Sequence, residues 1–278
     1  MGKNGNKEKI KGSEKGKILI KGLVIGSTMT LPGVSGGSMA MVLGIYDRLL
    51  KHVSEITKYP QKSLTFLLWF AAGAGSGTFL FSRGISWLLT TRAEGVLRFF
   101  FLGAVAGGIP MILKSASIRR IRGRELICIL TGILTALLIA MIPQGIFAPG
   151  TENTPMNLLF QFVGGFIIAI ALVLPGISAS QMLYMLGIYE NTLKAVSHFE
   201  VLALLPLAVG GIIGTYLTAR IMEQLIKKHR EATFLIILGF MLASLRSLLP
   251  GRLIQENLLF CGIALVAGFV SLYFVTLK

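Results

Sequence analysis

Residues Leu31 to Asp47 read LPGVSGGSMAMVLGIYD, and residues Leu174 to Glu190 read LPGISASQMLYMLGIYE. Nine of the seventeen positions are identical, and Val34/Ile177, Gly36/Ala179 and Asp47/Glu190 are close substitutions. Each copy interrupts a long apolar run with Pro-Gly and a polar Ser group. Pro ends the helix before it and Gly can take the positive-φ turn that follows, so each copy predicts one helix ending and a second beginning. The match continues from GAGSGTFLFSR (Gly73 to Arg83) to GGIIGTYLTAR (Gly210 to Arg220), and on to Leu102-Gly103 and Leu238-Gly239. The chain is therefore internally duplicated, with membrane repeats over 18–142 and 157–278 and a polar, extracytoplasmic linker at 143–156.

Composition bounds the setting of this duplication. The 278 residues are 54% hydrophobic and 14% charged, with a mean hydropathy of +0.75. Apolar runs near bilayer length recur along the whole chain, which places it in the membrane class and excludes a soluble enzyme, a signal peptide or a single anchor. Residues 1–17 are basic and Gly-rich and read as a disordered cytoplasmic tail. The net charge of +15 comes from Lys and Arg between apolar runs, where the positive-inside rule and anionic headgroups account for it, so nucleic acid is not an expected partner. Cys128 and Cys261 sit within apolar segments and read as packing residues. No metal or cofactor is expected.

Each repeat reads as one interrupted segment and three helices: 18–50, 64–82, 96–113 and 125–142, then 157–190, 200–218, 233–249 and 256–276. Loop charge decides how the interrupted segments run. The tail and the loop with Lys114, Arg119, Arg120, Arg122 and Arg124 are the most basic connections, and both fall inside only if the first broken segment enters and returns. The same topology puts the loop around Glu152 outside and Lys227 to Arg230 inside. The expected fold is an all-α polytopic membrane protein of two inverted repeats, each a re-entrant helix hairpin plus three transmembrane helices. Its N-terminus is cytoplasmic. The 160–174 arm is long enough to span fully.

After each Pro-Gly, Ser35 or Ser178 is a candidate N-cap. Two helix starts meeting at depth would present free N–H groups and positive dipole ends, an anion site. Its candidate residues are Ser35, Gly36, Gly37 and Ser38, with Ser178, Ala179, Ser180 and Gln181. Arg83 and Arg220 close the matched helices and either neutralise a bound phosphate or snorkel to the interface. Asp47 and Glu190 carry a coupling proton or, the better-ranked reading, pair at the interface with Arg48 or Lys194. Tyr46 and Tyr189 read as interface aromatics, and the Gly73/Gly77 and Gly210/Gly214 spacings as close helix packing. His52, His198 and His229 receive no role.

Duplication around a broken-helix site favours a transporter. An enzyme acting on lipid phosphates would need a base, nucleophile or metal cluster, and the breaks offer Ser without a nearby His, Cys or carboxylate cluster. An anion channel or a scaffold stays open, as does the choice between monomer and homo-oligomer.

The paired Pro-Gly-(Val/Ile)-Ser motifs and the Gly-Thr…Arg repeats resemble the prokaryotic polyprenyl-phosphate transporter family, over nearly the whole chain after the tail. The resemblance implies a translocase in the cell membrane that returns undecaprenyl phosphate from the outer to the cytoplasmic leaflet for cell-envelope synthesis. It makes the bilayer and this lipid the partners. The second copy departs from the first, with Ala179-Ser180 for Gly36-Gly37, so the two hairpins are expected to contribute unequally.

Overall fold

The computed structural model describes residues 12–29, 34–91, 93–118, 122–143, 145, 154–198, 200–249 and 258–277, and all regular structure among them is helical. The first half contains α1 (Gly12–Thr28), α2 (Gly36–Val42), α3 (Tyr46–Ser54), α4 (Pro60–Leu89), α5 (Glu94–Ser115) and α6 (Gly123–Ala140). The second repeats the order with α7 (Pro155–Val173), α8 (Ala179–Leu186), α9 (Tyr189–Ser197), α10 (Val201–Lys228), α11 (Arg230–Ser244) and α12 (Leu258–Leu277). Pro32-Gly33 and most of the 143–156 linker lie outside the described residues.

Two expectations on element boundaries need correction. Helix α1 begins at Gly12, inside the tail expected to be disordered. Its first turns are held by the Glu14–Arg48 ion pair at 2.6 Å and by the Lys15 ammonium 5.6 Å from the centre of the Trp69 ring. The spanning set also differs. Among the described residues five stretches are long and apolar enough to cross a bilayer: Pro60–Ile85, Glu94–Ser115, Gly123–Ala140, Pro155–Val173 and Leu202–Lys228. Helix α7, the first arm of the second broken segment, is among them, as the length of the 160–174 arm allows, whereas α11 is not; α12, described from Leu258, contributes the apolar stretch Leu258–Phe274. At ~1.5 Å per residue α11 falls short of the ~30 Å hydrocarbon core. Its residues Thr233, Phe234, Leu235 and Ile237–Met241 are buried, so protein rather than lipid surrounds it.

Glycines set how the helices pack. A Cβ at Gly22 would stand 2.5 Å from the Phe70 carbonyl oxygen, at Gly26 1.9 Å from that of Ala74, and at Gly73 2.2 Å from that of Leu19. Helices α1 and α4 thus touch backbone to backbone and run in the same direction. The second half repeats the crossing at the matching positions of α7 and α10: Gly165 on Leu207 at 2.1 Å and Gly210 on Phe162 at 2.0 Å, with Ala169 in place of Gly26. Two further pairs join the halves. In one, Gly103 of α5 meets Leu265 of α12 at 1.9 Å and Gly268 meets Phe100 at 1.9 Å; in the other, Gly239 of α11 meets Ile129 of α6 at 2.2 Å and Gly132 meets Ile236 at 2.1 Å. Exchanging the halves converts one pair into the other. Apolar helices gain nothing from being hidden from lipid tails, so close backbone approach supplies the packing energy instead.

Candidate functional site

The two breaks meet between the halves. Ser35 is buried in extended backbone (φ −90°, ψ 142°) and caps α2. Its Oγ accepts from the Ser38 N–H at 3.1 Å, lies 2.9 Å from the Ser38 Oγ, and accepts from the Gly176 N–H of the other half at 3.0 Å. Gly176 has φ +90°, and a Cβ there would stand 2.5 Å from the Phe240 carbonyl carbon, so turn and packing both demand glycine. A Cβ at Gly37 would stand 3.2 Å from the Pro175 Cα. A second tie crosses the halves where the Tyr46 hydroxyl donates to the Val173 carbonyl at 2.8 Å, satisfying one of the carbonyls that the end of α7 leaves without an intrahelical partner.

A cavity of about 380 Å³ opens beside this junction. Ser35, Gly36, Gly37, Ser178 and Ala179 contribute its polar edge, and Ile25, Met29, Leu49, Leu50, Phe70 and Leu172 are among its apolar walls. Among the described residues the wall carries no charged side chain. The chemistry offered is that of N–H and hydroxyl donors at two helix starts beside an apolar chamber, which suits an amphiphile with an anionic end.

Most of the sequence-derived candidates gather here. Ser35, Gly36, Gly37, Ser178 and Ala179 line the cavity, and Ser38 stands behind it, held by Ser35. Ser178 occupies the N-cap position of α8 with no side-chain cap bond, unlike Ser35. Gln181 is exposed and outside the wall, and the Ser180 side chain lies outside the described set. Arg83 is exposed and does not reach the cavity. Arg220 is also exposed, adjacent to the lining residue Ala219, and its Nη1 donates to the Tyr216 hydroxyl at 3.4 Å. Asp47 pairs with Arg230 at 3.0 Å rather than with Arg48, which is taken by Glu14. Glu190 is exposed at the start of α9.

Tyr46 corrects its reading as an interface aromatic, because it is only 4% exposed and joins the halves. Its recurrence in both Gly-Ile-Tyr copies was the available signal. Tyr189 instead stacks on Tyr184, ring centres 3.9 Å apart. Phe70 and Met29 were not singled out in the sequence; their apolar neighbours look the same, and only the fold brings them to the cavity.

Fold and site together define a helical membrane protein of the duplicated, broken-helix build found in transporters. The family model for VCA0040-like proteins, described as undecaprenyl phosphate translocase-like, matches residues 25–259, and the chain belongs to that family. It is 29% identical over 252 residues to the polyprenyl-phosphate transporter of Vibrio cholerae, covering 84% of this chain and 77% of the relative. It is 28% identical over 263 residues to the polyprenyl-phosphate transporter of Staphylococcus aureus, covering 91% and 92%. No solved structure matches the chain.

Proposed function

We propose that the protein moves a polyprenyl phosphate, undecaprenyl phosphate in the first instance, from the outer to the cytoplasmic leaflet by sheltering its phosphate where the two breaks meet. The observation that carries this reading is the single cavity bordered by both helix starts, with N–H and hydroxyl donors at one edge and apolar side chains elsewhere. A bare phosphate in hydrocarbon faces a Born cost of tens of kcal/mol. The isoprenoid tail is at home in lipid. Shelter for the headgroup is therefore the whole task, and a cleft open sideways to the bilayer performs it.

The directions of the packed helices support re-entrant hairpins and inverted repeats. With α1 and α4 side by side in the same sense, α2 and α3 carry the chain back to the face it entered. Helix α5 returns from α4 and α6 from α5; α12 shares the sense of α5 and α11 that of α6. Helices α7 and α10 then run opposite to α1 and α4. One face collects Lys15, Lys62, Lys114, Arg124, Lys228 and Arg230 near helix ends, and Arg230 contacts both the Ser115 carbonyl and Asp47 there. The positive-inside rule makes that face cytoplasmic.

The test is transbilayer movement of a labelled polyprenyl phosphate in liposomes containing the purified protein, compared with the Ser35→Ala/Ser178→Ala double variant recovered folded and monodisperse. Protein-dependent movement that the variant loses supports the reading. Wild-type rates in the variant sink the site assignment, and release of inorganic phosphate from the lipid would make the protein an enzyme.

A further inference from the structure

The halves match in sequence and in their helix crossings but not in how the short helices pack. Helix α3 of the first half lies along α10 of the second, whereas among the described residues α9 makes no comparable contact with the matching helix α4. The difference is polar as well as steric. The Ser54 hydroxyl of α3 donates to the Glu223 carboxylate of α10 in a short bond, and Lys227 holds the other carboxylate oxygen at 2.6 Å. Glu223 is only 14% exposed. Thr57 and Tyr216 face each other at 3.5 Å and Asp47 pairs with Arg230 at 3.0 Å, so the strip continues to both sides.

Among the described residues none of these bonds has a counterpart across the duplication. The alignment carries Ser54 to Ser197 of α9, but Glu223 to Ser86 of α4, and the pair Asp47 and Arg230 to the two acids Glu190 and Glu94. Glu94 is engaged by Arg98 of its own helix at 2.8 Å. Tyr216 corresponds to Phe79, which is 81% exposed. The cavity has the same bias, since Leu49, Leu50 and Val53 of α3 form one wall while α9 contributes nothing to it among the described residues.

We propose that the α3–α10 contact is a gate between the two halves, latched by Ser54 and Glu223, and that α9 against α4 is its counterpart. The latch is closed here and the counterpart open; in the alternate state the latch parts and α9 closes on α4. Related halves that swap one asymmetric contact for its mirror image are what alternating access requires. The inference rests on the translocation reading for its purpose and on the packing asymmetry for its parts. Because the polar lock exists on one side only among the described residues, it also biases the resting protein toward the state seen here.

The experiment uses the full chain with Cys128→Ala and Cys261→Ala, which lie outside the cavity and the latch. A short thiol-to-thiol cross-linker cleavable by reduction then joins cysteines placed by S54C and E223C. Bridged protein is expected to lose movement of labelled polyprenyl phosphate and regain it on reduction. Full movement by fully bridged protein overturns the gate while leaving translocation intact. If the unbridged parent moves no lipid, the translocation reading has failed, and a second arm still decides the gate. Spin labels at positions 86 and 197 should gain a shorter-distance population when S54A and E223A remove the latch. An unchanged distance distribution overturns the proposal.

Discussion

Replacing Ser35 by Ala separates the two broken segments energetically. The Ser35 Oγ serves two backbone N–H groups, Ser38 within its own helix and Gly176 from the other half, and Ser35 is 8% exposed. Loss of an N-cap typically costs ~1 kcal/mol. A buried N–H left without a partner costs ~1–3 kcal/mol more. The expected loss is therefore about 2–4 kcal/mol in total, unless water reaches the Gly176 amide. The Ser178 hydroxyl makes no cap bond, so Ser178→Ala is spared the ~1 kcal/mol that a lost cap costs. Thermal unfolding in detergent, followed by gel filtration, compares the two variants directly. A larger drop in melting temperature for Ser35→Ala than for Ser178→Ala is the expected result. Equal shifts would refute the claim that the junction hangs on Ser35.

Glycines on α4 give a paired prediction: Gly73→Ala meets the Leu19 backbone at 2.2 Å while Gly75→Ala meets nothing within 4 Å. Overpacking at Gly73 should cost ~1–3 kcal/mol and Gly75→Ala should stabilise by ~0.5–1 kcal/mol, so melting temperatures that move together in the same assay would contradict the crossing. Tyr46→Phe leaves the Val173 carbonyl without its donor and should cost ~1–3 kcal/mol. Unfolding that does not distinguish Tyr46→Phe from wild type would show that the tie is replaced by water or is not made.

Periodicity and punctuation revealed the duplication, the breaks and the helical class, because Pro-Gly-Ser inside apolar runs is a local signal. The Gly73/Gly77 spacing likewise announced a close crossing, and the structure supplies Leu19 and Leu23 as what it crosses. Partner choice was not legible. Gly132 and Gly239 sit in apolar runs that look like any other, and nothing local assigns the one to α11 and the other to α6. Asp47 shows the same limit: Arg48 is adjacent in sequence, yet on a helix neighbouring residues point apart. The ion pair goes instead to Arg230, 183 residues away. Helix α11 shows a related limit, since an apolar stretch buried by protein reads as one buried by lipid.

The way the breaks touch bears on which of their residues meet a headgroup. The Ser35 oxygen already accepts from Ser38 and Gly176, which uses its acceptor capacity and leaves its hydroxyl hydrogen directed at Ser38 or the cavity. A Cβ at Gly37 would press on Pro175 of the other half at 3.2 Å. The first copy thus spends its polar and steric features largely on holding the second. Position 180, matching Gly37, holds a Ser, so glycine is not required there. On the proposed function, headgroup contact then falls to the N–H groups of Gly36 and Gly37 and to the start of α8 at Ser178. A division of labour follows from this divergence: Ser35→Ala lowers stability before it lowers transport, whereas Ser178→Ala slows movement of labelled polyprenyl phosphate with the smaller loss of stability. A Ser178→Ala protein that moves lipid at the wild-type rate would assign the contact to the backbone alone.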